Sequence, residues 1–391
     1  MTHVRSQRAI IATLVLVAVN LRPALTSVPV LLDDIKASTG WSDATLGLLT
    51  TVPVLCMGIV TLLVATIASH VGRRRTVAAA LAILTLALAL RWWAEFSGAL
   101  WLSVFLAGIG IALALGLVPG IVREQLPQAV GRATGWWTAA MMTGAALASA
   151  LTVPLSHALG SWTKALACWA IVAAMALVGW IIIEGLRKDT DSVAVRLRHL
   201  PWRHPSAWAL TGYLMVNSFV FYVLVAWLAP SFIERGWSPS AAGWLVGVFA
   251  ITQIFAALIV TPAVTRAARR RTAFTAICVA MAITTLAIGL VPVSLPALVL
   301  ILAGLCGALV SANYTVGIAL LSEYGASPMG SARLSAMVLG CTYIVAAFGP
   351  WLAGAFLDMT KAFPWLFALA ALIALAQLVA VPRLRRGVTI D

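Results

Sequence analysis

This chain has very little charge. Asp, Glu, Lys and Arg together make up 10% of its 391 residues, whereas a water-soluble domain carries about 25%. It also lacks a long polar segment: the most extended one, from about Leu186 to Ser206, is a short basic stretch. So little polar surface cannot cover a core in water, which excludes a soluble globular domain and makes bilayer hydrocarbon the natural solvent. Catalytic motifs are missing as well. There is no Gly-x-Ser-x-Gly elbow, phosphate loop or His-Glu-x-x-His, and His3, His70, His157, His199 and His204 fall in loops or near the ends of apolar runs. No enzyme reading survives. Cys56, Cys168, Cys278, Cys306 and Cys341 all lie inside apolar segments, none at metal-ligand spacing from another Cys or a His. They read as small packing residues, so no disulfide, metal or cofactor is expected.

A further lack concerns acidic residues. Asp33, Asp34, Asp43, Glu95, Glu234 and Asp358 fall toward one end of the apolar runs, and Glu124, Glu184, Asp189, Asp191, Glu323 and Asp391 toward the other. No carboxylate sits at mid-depth, where cation-handling membrane proteins commonly place one. This favours an anion or a neutral polar solute over a polycation.

What is present is hydrophobic: 62% of the chain. Twelve apolar stretches, at about 9–32, 44–69, 76–94, 98–122, 133–157, 163–185, 207–233, 240–265, 272–291, 296–322, 331–357 and 362–381, each approach the ~20 residues a helix needs to cross a bilayer. The first is too long for a signal-peptide core and reads as a retained helix. The chain carries 26 basic and 12 acidic residues. That net charge of +14 is not a nucleic-acid signature here, because the basic residues cluster between apolar runs. With the N-terminus inside, twenty of them lie on the inner side. Lys36, Arg91, Lys164, Arg235 and Lys361 lie outside, and Arg22 lies between. The asymmetry predicts a multi-pass membrane protein with both termini in the cytoplasm. Trp41, Trp92, Trp93, Trp101, Trp162 and Trp237 near the outer ends form an interfacial belt.

Arg22 is the one full charge the sequence places deep in an apolar run. A guanidinium there costs roughly 2.5–3.5 kcal/mol on insertion scales, so it requires a partner or a water-filled cavity. Pro23 follows it, and the missing amide leaves the Val19 carbonyl without its helical donor. Such groups are tolerated at membrane depth when they line a cavity or are buried in protein. Arg22 and Thr26 share a helix face and Asn20 lies nearby, offering a guanidinium fork and a hydroxyl to a small oxygen-bearing ligand.

The chain repeats itself. Gly40-Trp41-Ser42 followed by Gly47 matches Gly236-Trp237-Ser238 followed by Gly243, and Arg73-Arg74-Arg75-Thr76 matches Arg269-Arg270-Arg271-Thr272, both at an offset of 196. Gly108 and Gly304 share it. The expected organisation is an N-terminal six-helix half over residues 1–185, a cytoplasmic linker over 186–206 and a C-terminal half over 207–391, in parallel orientation. Two parallel six-helix halves around a central cavity resemble the major facilitator superfamily, with an all-α membrane fold. In that superfamily the loop between the second and third helices carries a glycine, an acidic residue and several arginines. Here Gly72, Arg73, Arg74 and Arg75 keep part of it, and Ser69 stands at the acidic position.

Within the superfamily, Asn20-Leu21-Arg22-Pro23 with Thr26-Ser27, and Gly47-Leu48-Leu49-Thr50-Thr51-Val52-Pro53, resemble the cyanate porter family. Val118-Pro119-Gly120 with Arg123, Pro205 to Trp208, and Ala226-Trp227-Leu228-Ala229-Pro230 agree. The resemblance implies transport of small anions or small polar nitrogen compounds by alternating access, with helices 1, 4, 7 and 10 lining the cavity. The residues expected to bind substrate are then Arg22, Thr26 and Asn20, with Asn217, Tyr222, Gln253, Asn313 and Tyr314 from the second half. Tyr343 of helix 11 is another polar group at mid-depth. The expected partners are a small-molecule substrate and the lipid bilayer, with no nucleic acid and the monomer as the working unit. Two other readings stand beside this one: an exporter of larger amphiphilic compounds in which Arg22 is structural, and a non-transporting membrane sensor.

Overall fold

The computed structural model describes residues 12–125, 130–184, 200–260, 263–264, 267, 269–325, 328–385 and 387–390. Among the described residues, twelve helical spans are long and apolar enough to cross a membrane. They are α1 (Ala12–Thr39, interrupted), α2 (Asp43–Val71), α3 (Arg73–Leu90), α4 (Ser97–Gln125), α5 (Val130–Leu159), α6 (Trp162–Glu184), α7 (Pro205–Glu234), α8 (Pro239–Val260), α9 (Arg270–Leu290), α10 (Pro296–Tyr324), α11 (Pro328–Thr360) and α12 (Phe363–Arg383). Among the described residues the only β feature is a lone bridge between Gly325 and Ile390. Arg5, Arg8 and most of the expected linker lie outside the described residues, as do the side chains of Pro119, Arg123 and Glu124.

Local chemistry sets the helix ends, and it does so twice. Gly40 and Gly236 both have left-handed φ, +69° and +95°, a region open to glycine at little cost. Two residues on, Ser42 accepts a hydrogen bond from the Thr45 amide and Ser238 from the Ala241 amide. Each satisfies one orphan donor of a helix N-terminus. Gly72, at φ +94°, separates α2 from α3. Arg74 and Arg270, again 196 apart, are both buried at the starts of α3 and α9. Arg270 grips Glu323 through two bonds of 2.9 and 2.7 Å.

The halves meet along two seams, α2 with α11 and α5 with α8, and glycines make the close approach possible. Gly47 lies against the Pro350 carbonyl, Gly354 against the Asp43 carbonyl, and Gly243 against the Ser149 carbonyl. No side chain fits at these positions. At the end of the bundle that carries Asp43, one apolar cluster draws on both halves: Val28, Leu31, Leu46 and Leu49 pack with Val220, Leu224, Phe232 and Leu245. There the Asp358 carboxylate accepts from the Asp43 and Ala44 amides, at 3.0 and 2.9 Å, so the end of α11 caps the start of α2. At the opposite end, near Arg73, the buried cluster is built from the second half, and Leu62 packs against it from the first. The bundle is thus sealed at the Asp43 end.

Candidate functional site

The first span is where sequence chemistry shapes the site. Its opening helix covers residues 12–20, turns at Leu21 and Arg22, and resumes as a single turn, Pro23–Thr26. A 3-10 turn, Pro29–Leu31, and a last helix, Leu32–Thr39, follow. Pro23 and Pro29 each remove a backbone donor, so the break is written into the sequence. α5 closes over it with small residues. Gly144 lies against the freed Val19 carbonyl, and the Ala145 carbonyl accepts from the Thr26 hydroxyl at 3.3 Å.

Arg22 sits at the start of the resumed turn and is half-buried. Its guanidinium lies 5.7 Å from the centre of the Phe221 ring, within the range of a cation–π interaction. No carboxylate pairs with it among the described residues. Instead the phenols of Tyr222, Tyr314 and Tyr343 are within its electrostatic reach. The Tyr314 and Tyr343 hydroxyls are 2.9 Å apart, and the rings of Tyr222 and Tyr343 meet edge to face at 6.5 Å. Phe221 stacks on Phe249 at 6.2 Å. One cation from α1 therefore faces an aromatic group drawn from α7, α10 and α11, that is, from the other half. Guanidinium donors and phenol hydroxyls suit a planar, oxygen-bearing or nitrogen-bearing solute, and the aromatic rings suit its flat face.

The other expected site residues are placed as follows. Tyr222 and Tyr314 belong to this group. Asn20 is buried, and its amide nitrogen donates to the Leu16 carbonyl at 2.6 Å. The Thr26 hydroxyl proton is shared between the Arg22 and Ala145 carbonyls, so Thr26 stitches α1 to α5 rather than presenting a free donor beside Arg22. Gln253 donates to the Phe249 carbonyl at 3.2 Å, within its own helix. Asn313 is fully buried and bonded toward α9 and α7: its oxygen accepts from the Tyr213 hydroxyl at 2.7 Å, and its nitrogen donates to the Ile277 and Leu309 carbonyls. That side chain is spent on holding the second half together. Asn217 is the opposite case, buried with neither amide atom bonded to another protein group. In the last turn of α2, Ser69 donates to the Thr66 carbonyl, a local bond where the superfamily pattern has an acid. Of the tryptophan pair opening α5, Trp136 is exposed and Trp137 buried.

Two features escape the sequence. Phe221 carries no polarity signal, although its i,i+4 spacing from Asn217 puts both on one face of α7. Arg91 corrects the reading of Arg22 as the one deep cation: it is 0% exposed. Its Nε donates to Ser103 Oγ at 3.0 Å, Nη1 to Ser27 Oγ at 3.2 Å and Nη2 to the Ala24 carbonyl at 2.7 Å. Its neighbours Trp92 and Trp93 are exposed, as an interfacial belt requires, and that context disguised it.

The sequence model of the Major Facilitator Superfamily matches residues 12–235 and 210–388. The chain belongs to the Major Facilitator Superfamily. This superfamily member is 30% identical over 345 residues to the cyanate transport protein CynX of Escherichia coli (strain K12), covering 87% of this chain and 88% of that one. It is also 30% identical over 385 residues to the 2-nitroimidazole transporter of the same organism, covering 96% and 95%. Among solved structures it resembles the D-xylose-proton symporter, with a TM-score of 0.73 at 16% identity over 99% and 98% of the two chains. It likewise resembles a bacterial homologue of the human lysosomal transporter Spinster, inward-facing and occupied, at 0.72 and 17% over 97% and 94%. The superfamily fold, the twelve spans and the character of a transporter rather than an enzyme are as the sequence implied.

Proposed function

We propose that this transporter carries a small anion or a small polar nitrogen compound, cyanate-like or nitroimidazole-like, by alternating access. The observation that carries the reading is the Arg22 guanidinium: it has no carboxylate partner among the described residues and faces Phe221 and three tyrosines of the opposite half. A half-buried cation without a counter-ion attracts a negative or electron-rich ligand, and that ligand then supplies the missing charge-assisted bonds. Two E. coli relatives named for cyanate and for 2-nitroimidazole transport support the size and class of the solute. Residues 1–185 and 207–391 move as the two rocking units, with Arg22 on one and its aromatic partners on the other, so the site itself registers their separation. The basic clusters put the Arg73 end in the cytoplasm of a bacterial cell, both termini included. The sealed Asp43 end then faces outward, and this is the inward-facing state. The transporter works as a monomer, and Gly72 with Arg73 to Arg75, the break after α2 and the first turn of α3, accompanies the rocking.

Thermal shift tests the site. Ligand that binds only the folded protein raises its apparent stability by mass action. Cyanate or 2-nitroimidazole raises the melting temperature of the wild type and, at the same concentration, raises that of Arg22→Ala much less. An equal rise in both proteins sinks the role of Arg22, and a rise with large aromatic cations alone favours an amphiphile exporter.

A further inference from the structure

Arg91 is a buried guanidinium that the proposed site does not use. It is 0% exposed, no carboxylate pairs with it among the described residues, and its partners are neutral oxygens from two directions. Burying such a charge without a counter-ion is costly, so its geometry has to return something. Its partners converge on the break in α1. In an unbroken helix the Val28 amide donates to the Ala24 carbonyl. Here the helical turn ends at Thr26, a proline follows Val28, and the Ala24 carbonyl takes its bond from Arg91 Nη2 at 2.7 Å. The Pro23 carbonyl accepts from Ser27 Oγ at 2.6 Å, and that hydroxyl in turn accepts from Arg91 Nη1 at 3.2 Å. The remaining donor, Nε, is fixed by Ser103 of α4. The planar fork thus ties two carbonyls of the turn Pro23–Thr26 to α4, and Arg22 is the residue on which that turn begins.

We propose that Arg91 is a positioning residue: it clamps the broken segment of α1 to α3 and α4 and so fixes where the Arg22 guanidinium points. This rests on the reading of Arg22 as the ligand-facing cation. A fork is required because the three acceptors lie in two directions, Ala24 and Ser27 on α1 and Ser103 on α4, and one rigid guanidinium reaches all of them where an ammonium is a point charge.

The test combines a ligand-free and a ligand-dependent measurement on the purified full-length protein. Hydrogen exchange reports local opening directly. In Arg91→Met, amides 21–28 exchange about tenfold faster or more, while those of 205–234 keep their rates. With cyanate or 2-nitroimidazole as the probe, Arg91→Met weakens binding, yet the double variant Arg22→Ala/Arg91→Met binds no more weakly than Arg22→Ala alone. Non-additivity of this kind marks residues acting through one another. Should Arg91→Met fail to fold, Ser27→Ala and Ser103→Ala carry the test, since each keeps the guanidinium and removes one of its bonds. Unchanged exchange at 21–28 in every folded variant overturns the proposal, and so do additive losses of binding. If neither probe binds the wild type, the substrate reading fails and the exchange measurement alone decides the role of Arg91.

Discussion

Two arginines inside one apolar bundle have different tasks because their surroundings differ. Arg22 is half-buried against aromatic rings, and Arg91 is sealed with each of its three nitrogens bonded to a neutral oxygen. Two asparagines divide in the same way. Removing the Asn313 amide strands the buried Tyr213 hydroxyl, so Asn313→Leu destabilises the protein by about 1–3 kcal/mol and lowers its melting temperature. Asn217 has no protein partner to strand. An unsatisfied buried amide costs about 1–3 kcal/mol, so Asn217→Leu melts at or above the wild-type temperature. A fall of several degrees in a fluorimetric melt contradicts that account of Asn217. At this scale the sequence was informative only where polarity stood out. Arg22 was conspicuous in a long uncharged run. Arg91 was not, because the partners that bury it, Ala24, Ser27 and Ser103, are brought to it by folding alone. Phe221 was hidden because one more aromatic in an apolar helix looks like lipid-facing surface.

Among the elements, the most consequential is the pairing of α2 with α11. The Asp358 carboxylate completes the N-terminus of α2 from the other half of the molecule, and Lys361 lies 3.6 Å from it. An anion at a helix N-terminus contributes about 1 kcal/mol, and opening the Asp43 end has to give that up. Asp358→Asn therefore shifts the balance toward the open form about fivefold. Spin labels on exposed Ser38 and Met359 read this as a longer-distance population, and an unchanged distance distribution contradicts it. Gly354→Val acts more severely, since its side chain meets the Asp43 carbonyl. It prevents the seam from closing and yields a protein with the same labels held apart. The helix ends here were legible from Gly-Trp-Ser and from the arginine runs, because capping and positive-φ glycines are local chemistry. The helix-to-helix seams were not, because a glycine's partner carbonyl is set by the packing of distant elements.

For the whole molecule, the internal repeat explains both why the fold was readable and why the site was only half so. Equivalent residues do equivalent jobs at an offset of 196: Gly47 and Gly243 each allow a seam between the halves, and Ser42 and Ser238 each cap a helix. The site breaks that symmetry. Its cation comes from α1, and its aromatic groups come from α7, α10 and α11. In the proposed mechanism a ligand held between them ties the two halves to each other, and its binding energy drives the rocking. The claim that Arg22 holds the cargo is tested most directly by uptake into proteoliposomes containing wild type, Arg22→Ala or Arg22→Lys, with cyanate and 2-nitroimidazole as the probes. A charge-assisted bond contributes about 1.5–3 kcal/mol, so Arg22→Ala loses about tenfold or more of the wild-type rate. Arg22→Lys, which keeps the charge without the fork, falls between. Wild-type rates in both variants, for a probe the wild type does transport, contradict the account.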